Sequence, residues 1–292
     1  MKKIVIDGAS GWMGRSTIQA ALEFEFSDQD LILFSSSKAT IEVSGKLFPN
    51  QLGRTGSIKD VDVYVHTAFV TREHYGKYGE HEYVTRNLQL LDHSILQIER
   101  LRPKSIVFLS SGIAKSQDYL IGKDSSYRTY ASLKQIEAQK MRLAATKIEA
   151  NLVEGVLFSA TGTYMKDPST FAIGNILHQA LQGEIRLRAN RLVWRRYCDS
   201  IQFMKVLLKS AISGRNLILE SGGALIELRD LARQCLTVLG LQTSISWQPE
   251  DLPPDLYFSR SSKFELELAE LGETSLALED QILNTLQALK DF

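Results

Sequence analysis

Tyr130 and Lys134 stand one helical turn apart in the stretch Tyr130-Ala131-Ser132-Leu133-Lys134, so both project from one face of a helix. A phenol in water loses its proton near pH ~10. It serves as an acid or base near neutrality only when nearby positive charge stabilises the phenolate, and Lys134 supplies such a charge. Ser111 follows an apolar run, Ser105–Leu109, where side chains emerge at the carboxyl edge of a parallel sheet. Its hydroxyl suits the oxygen of a carbonyl or an alcohol. Each element alone is common: Tyr-x-x-x-Lys arises by chance, Tyr127 lies nearby, and the pair Ser110-Ser111 serves a turn equally well.

A second constellation opens the chain. The apolar run Lys3–Asp7 leads into Gly8-Ala9-Ser10-Gly11-Trp12-Met13-Gly14, and a helical pattern, Arg15–Phe24, follows. Such glycines permit a tight turn, close backbone approach to a pyrophosphate, and close helix–strand packing, with the helix N-terminus facing the phosphate. Gly8, Ser10, Gly11, Trp12, Met13, Gly14 and Arg15 are therefore candidate dinucleotide contacts; the alternative is a structural turn. An NAD site usually places an acid at the end of the second strand. Here that strand ends in Ser35-Ser36-Ser37-Lys38. Hydroxyls and a lysine suit a ribose 2′-phosphate, with Arg15 helping, so NADP is expected ahead of NAD. The alternative is a polar loop that happens to carry serines. An oxidised nicotinamide would add positive charge beside Tyr130.

The elements that must position these residues alternate β-branched runs with helical patterns, the signature of a parallel sheet with crossover helices. Strands are expected at Lys3–Asp7, Leu31–Ser35, Val61–His66, Ser105–Leu109 and Asn151–Phe158. The clearest helix runs from about Glu82 to Arg100, where Val84, Leu88, Leu91, Ile95 and Ile98 form one stripe and Pro103 follows. Residues 38–59 read as loop or short hairpin. Beyond Gly162 the pattern becomes mixed, with helices over about Ser169–Gln182, Leu225–Leu239 and Leu276–Leu289 and short strands near Arg186, Val193 and Leu217. The expected class is α/β: a doubly wound parallel sheet of Rossmann type over 1–163, with a smaller mixed α/β substrate domain over 164–292.

Composition narrows the classes. The 292 residues carry 34 Lys plus Arg against 34 Asp plus Glu, which argues against a nucleic-acid or anionic-membrane binder. The two cysteines, Cys198 and Cys235, belong to no metal-binding or disulfide pattern, and the five histidines are scattered. No apolar run approaches the ~20 residues of a membrane span, and Ile4-Val5-Ile6 is too short for a signal peptide core. A cytoplasmic location is expected, with no metal, no nucleic acid and no membrane partner.

Taken together, these motifs resemble the extended short-chain dehydrogenase/reductase family, in its epimerase/dehydratase branch, which works on nucleotide sugars. The resemblance covers most of the chain. VYVHTAF (Val63–Phe69) is similar to the family's fourth-strand motif, which implies that His66, Thr67 and Ala68 lie beside the cofactor. YVTRNLQLL is similar to the helix that carries the family's asparagine, here Asn87, and SIVFLSSGIA to the serine strand. YRTYASLKQIEAQ is similar to the catalytic helix, down to Glu137, and RRYCDS to a short strand ending in Asp199. The resemblance implies catalytic Ser111, Tyr130 and Lys134, with Tyr130 and Lys134 also at the cofactor, Lys134 as anchor of its ribose, and Asn87 supporting the site. It implies substrate contacts at Ser111, Gly112 and Ser159, and a diphosphate-binding arginine among Arg191, Arg195 and Arg196, although an exposed arginine strand is an equal alternative. It also implies a homodimer and a place in polysaccharide biosynthesis.

Several positions depart from the family. Gly112 and Ile113 stand where its dehydratases carry an Asp-Glu pair, which argues against dehydration. Lys115 and Ser116 replace a Tyr-Gly, the Ser111–Tyr130 interval is short, and Ser159 stands for an asparagine. No cysteine follows Ser111, and His178 reads as a packing or surface residue. The expected reaction is NADPH-dependent reduction of a 4-keto nucleotide sugar. The alternatives are a nucleotide-sugar 4-epimerase that keeps NAD bound, a reductase of another carbonyl compound, or a non-catalytic NADP-binding sensor.

Overall fold

The structure is a computed structural model that describes residues 2–36, 40–51, 58–116 and 118–290. In chain order its first elements are β1 (Ile4–Asp7), α1 (Trp12–Glu23), β2 (Leu31–Phe34), β3 (Thr40–Val43), β4 (Lys46–Pro49), β5 (Val63–His66), α2 (Tyr75–Leu101), β6 (Ser105–Ser111), α3 (Gly112–Lys115), α4 (Ser125–Ile148) and β7 (Asn151–Leu157). There follow β8 (Ser159–Thr161), α5 (Ala172–Leu181), β9 (Glu184–Arg186), β10 (Val193–Asp199), α6 (Ser200–Ile212), β11 (Leu217–Glu220), β12 (Ala224–Glu227) and α7 (Leu228–Leu239). The last are β13 (Ser244–Ser246), β14 (Asp255–Tyr257), α8 (Lys263–Ala269) and α9 (Leu278–Lys290).

The chain divides into two compact units, residues 1–157 with 204–219, and residues 158–203 with 220–292. The cut falls at 157/158, beside the approximate boundary at 163, and the chain returns once to the first unit, the kind of return the sequence left open. That return is dictated by α6 and β11, whose apolar faces complete the first unit's layers.

In the first unit a six-stranded sheet runs β11-β7-β6-β5-β1-β2. β1 pairs in parallel with β2 and β5, β5 with β6, and β6 with β7. Every residue of β1, β2, β5 and β6 is buried, as expected of parallel strands covered on both faces, and their near-continuous Val, Ile, Leu and Phe runs follow from it. A core of Phe34, Tyr64, Leu91, Ile98, Phe108 and Met141 packs one face. This is the doubly wound α/β fold.

Two boundaries differ from the sequence expectation for local reasons. α2 begins at Tyr75, well before Glu82, and Gly79 interrupts it with a φ of 72°, a conformation open to glycine. In the second unit, Leu225 belongs to strand β12, and α7 starts only at Leu228, because the Glu227 side chain accepts a hydrogen bond from Arg229 N and caps the helix there. That unit is built on β10, which pairs antiparallel with β12 and in parallel with β14 and β8. The hairpin β3–β4 lies within the expected loop-or-hairpin segment.

Candidate active site

The glycine loop sits between β1 and α1 and is packed to the limit glycine permits. A Cβ on Gly8, whose φ is +80°, would lie 2.5 Å from Ala68 N, and one on Gly14 would lie 2.7 Å from Ala9 Cα and closer still to Gly8 O. Gly11 differs: only Gly8 O comes near its missing side chain, at 3.2 Å. It forms the N-cap of α1, and no side chain caps that helix end. A backbone cradle with a helix N-terminus behind it and open space at Gly11 fits a dinucleotide pyrophosphate. Trp12 and Met13 form the first turn, where Met13 O accepts from the Thr17 hydroxyl at 2.7 Å.

The end of β2 is arranged otherwise than its serines suggested. Ser35 is buried, its hydroxyl donates to Ser10 Oγ at 2.7 Å, and Asn50 Oδ1 accepts from its backbone N–H at 3.1 Å. Ser35 therefore ties β2 to the glycine loop, and this engagement weakens the case for it as a holder of a 2′-phosphate. Ser36 is exposed, while Ser37 and Lys38 lie outside the described residues. Arg15 is half-buried on α1.

Asp7 ends β1 directly beside His66, which ends β5. Thr67 bridges the same strand ends, its hydroxyl donating to Asp7 O at 2.7 Å. Asn87 on α2 is buried and fully engaged with backbone: Oδ1 accepts from Val70 N at 2.8 Å, and Nδ2 donates to Val70 O at 3.2 Å and Tyr83 O at 3.1 Å. It pins the segment after β5 to α2, the work of a clamp.

Ser111 is buried at the end of β6, where the backbone leaves the sheet into α3. α4 starts at Asp124, which accepts from the backbone N–H groups of Ser126 at 2.8 Å and Tyr127 at 3.3 Å, and it carries Tyr130 and Lys134 on one face. The Ser111 hydroxyl acts on the Tyr130 phenol from the end of β6. Burial pushes the Tyr130 phenol up to about 12; the Ser111 hydrogen bond opposes that rise, the carboxylates of Glu137 and Glu73 add to it, and the Arg72 guanidinium pulls it down. Phe69 meets Tyr130 edge to face, with ring centroids 5.6 Å apart.

Lys134 faces inward. Its buried ammonium donates to Leu109 O at 2.9 Å and to Glu137 Oε2 at 2.8 Å, and it stands 3.8 Å from the centroid of the Phe69 ring. Glu137 Oε1 in turn meets His66 Nε2 at 3.0 Å, and His66 Nδ1 faces Asp7 Oδ2 at 3.5 Å. Asp7, Phe69, Arg72 and Glu73 were not singled out from sequence as site residues. Asp7 carried a readable signal, an acid at the foot of the glycine loop, whereas the other three are brought in by the fold.

The remaining candidates lie in the second unit. The Arg196 guanidinium is committed to Gly223 O (2.9 Å), Ser259 O (3.3 Å), Ser261 O (2.8 Å) and Glu265 Oε1 (2.8 Å). Arg195 binds Trp194 O at 2.8 Å and Asp255 Oδ1 at 3.0 Å. Both hold β10 to its own neighbours. Arg191 Nε meets Asn190 Oδ1 only at 3.5 Å. Ser159 pairs with Tyr197 in the β8–β10 ladder, and Gly112 and Ile113 are buried at the start of α3. His178 is exposed on α5. Among the described residues no cluster of His, Cys, Asp and Glu could hold a metal, and no helix is long and apolar enough to cross a membrane.

No family model and no curated protein matches the chain. Solved structures do. UDP-N-acetylglucosamine 4-epimerase from Bacillus cereus superposes with a TM-score of 0.74 at 16% identity, covering 99% of this chain and 96% of that one. UDP-glucose 4-epimerase from Thermotoga maritima, solved with UDP-glucose, gives 0.75 at 15% identity over 99% of each chain. The chain shares the fold of these two epimerases over nearly its whole length. A dTDP-glucose 4,6-dehydratase from Streptomyces venezuelae, solved with NAD bound, shares it at a TM-score of 0.73 and 16% identity over 100% of this chain and 97% of that one.

Proposed function

We propose that the chain is a nicotinamide-dinucleotide-dependent oxidoreductase acting at a carbinol carbon of a nucleotide sugar, with 4-epimerisation as its leading reaction and NAD as its leading cofactor. The observation that carries the reading is the placement of Tyr130 and Lys134 on one face of α4, with Ser111 at the end of β6, in the same unit as the glycine cradle of β1 and α1. The cradle residues Gly8–Gly14 would hold the pyrophosphate against the N-terminus of α1. A bound oxidised nicotinamide supplies a hydride acceptor and a positive charge.

Tyr130 takes the hydroxyl proton of the sugar when the carbinol is oxidised and returns it when the carbonyl is reduced. Ser111 turns its one hydroxyl proton from the phenolic oxygen to the substrate oxygen when the sugar is bound. A phenol pushed up to about 12 is a weak base at neutrality, so the cationic nicotinamide and Arg72 must favour its phenolate in the working complex. The chain has no acid next to Ser111: Gly112 and Ile113 offer no proton for dehydration. The fold neighbours, several solved with NAD, support an epimerase that retains its cofactor.

NADPH-dependent reduction of a 4-keto nucleotide sugar is the second reading, favoured by the absence of an acid at the end of β2. Incubating the protein with NAD and either UDP-glucose or UDP-N-acetylglucosamine, and analysing the sugar at C4, tests the first reading. An epimer formed by the native chain and lost in Tyr130→Phe supports it. Oxidation of NADPH by a 4-keto sugar nucleotide with no epimer formed would replace it with the second.

A further inference from the structure

Four ionisable side chains line up in the interior of the first unit: Asp7 at the end of β1, His66 at the end of β5, and Glu137 and Lys134 on α4. All four are buried. His66 Nε2 lies 3.0 Å from Glu137 Oε1, and His66 Nδ1 faces Asp7 Oδ2 at 3.5 Å without a hydrogen-bond partner of its own. Glu137 Oε2 lies 2.8 Å from Lys134 Nζ. The recess beside this line, walled by Ala68, Phe69, Asn87 and Leu133, is too tight for a water molecule.

A neutral imidazole has one nitrogen that can only accept. Here both nitrogens face carboxylates, so either neutral tautomer would set a lone pair against a carboxylate oxygen in a dry interior. Only the doubly protonated ring donates to Glu137 and at the same time sets positive charge, rather than a lone pair, before Asp7 at 3.5 Å. The same oxygen, Asp7 Oδ2, also accepts from the hydroxyls of Tyr64, at 3.2 Å, and Ser94. The sequence Asp7, His66, Glu137, Lys134 then alternates minus, plus, minus, plus and is neutral as a whole, the condition under which buried charges persist.

We propose that this chain of charges is a positioning device for Lys134: Asp7 and His66 act through Glu137 to lock the ammonium against Leu109 O and the Phe69 ring. Its bearing on catalysis rests on the role given above to Tyr130 and Lys134. Glu137 is both the hook that holds Lys134 and a negative charge near Tyr130, so Asp7 and His66 set how much of that charge the phenol feels. The charged groups acting on Tyr130 besides the chain are Glu73 and Arg72.

Two measurements test this separately. With carbon-13 histidine, the imidazole resonances of the native chain report His66 without any assay of turnover; single substitutions of the four other histidines assign them. The proposal expects one imidazole that stays doubly protonated from about pH 6 to about pH 8, above the ordinary histidine midpoint, and whose midpoint falls by about one unit or more in Asp7→Asn. A neutral His66 at pH ~7 overturns it. The second measurement is the ascending limb of the pH profile of sugar oxidation, where the rate rises as Tyr130 loses its proton. In Glu137→Gln the limb should move to lower pH by about one unit, a tenfold gain in phenolate at a given pH, with a circular dichroism spectrum like that of the native chain. A profile that only loses height, with an unmoved limb, reduces Glu137 to a structural residue and also overturns the proposal. If no nucleotide sugar turns over at all, the proposed function fails, while the imidazole titration still decides the charge chain.

Discussion

Replacing Gly14 by alanine tests the packing of the glycine loop by the sign of its effect. Gly14 is the third residue of α1 and has no positive φ. On helix propensity alone the change should stabilise by up to about 1 kcal/mol. The structure predicts the opposite. The new Cβ would sit 2.7 Å from Ala9 Cα and 2.9 Å from Ala9 C, and closer still to Gly8 O, all of them backbone atoms with no rotamer to yield. Such overpacking costs about 1–3 kcal/mol, so against the propensity gain the net effect is a loss of up to roughly 2 kcal/mol as the β1–α1 turn is forced apart. Gly76, in the first turn of α2, has nothing within 4 Å of its would-be Cβ, and Gly76→Ala should be neutral or stabilising by a few tenths of a kcal/mol. Urea unfolding of the two variants, with dinucleotide binding followed by nicotinamide fluorescence, reads both effects. If Gly14→Ala is as stable as the native chain and binds the dinucleotide as well, the close-packed cradle is refuted.

Tyr130→Phe removes the proton carrier and should lower turnover by about 10²-fold or more while leaving dinucleotide binding intact; equal turnover would remove Tyr130 from the chemistry. Arg196→Met should destabilise the second unit by about 1–3 kcal/mol, because three backbone carbonyls lose a donor and Glu265 keeps only the Gly223 N–H; a variant of native stability with weakened sugar-nucleotide binding would return Arg196 to the substrate. His66 is pushed up to about 9 by its two carboxylates, so the folded state holds a proton that the unfolded state releases above about 6.5. Stability should therefore fall by roughly 3 kcal/mol as pH rises from about 6.5 through about 9, whereas Asp7 and Glu137, both held below the usual carboxylate range, lose their contribution on acidification. Urea unfolding across that range should show the loss, and a flat profile contradicts it.

The local features of the sequence carried much of the architecture. The apolar runs of β1, β5 and β6, broken only toward their ends by Asp7, His66 and the serines of β6, read as strands buried on both faces, and the glycine spacing with its strand and helix flanks marks the β1–α1 turn. Tyr130 and Lys134 share a helix face by periodicity alone. What sequence could not show depends on distant partners. Lys134 is equally able to point outward to a ribose or inward to Glu137, and the direction is set by Leu109 O and Phe69. The Ser35 hydroxyl is as suited to a phosphate as to Ser10. Arg195 and Arg196 look like ligands until Asp255, Glu265 and the carbonyls around them are in place. The Asp7–His66–Glu137 line joins three separate elements, and no spacing rule connects residues 7, 66 and 137.

The most direct test of the account is a single-turnover experiment in which the chain, loaded with NAD, is mixed with UDP-glucose or UDP-N-acetylglucosamine while the absorbance of reduced nicotinamide is followed. The account predicts a transient rise in the native chain and none in Tyr130→Phe, although both bind NAD. Failure of the native chain to bind NAD or NADP, or an equal rise in both proteins, would contradict it.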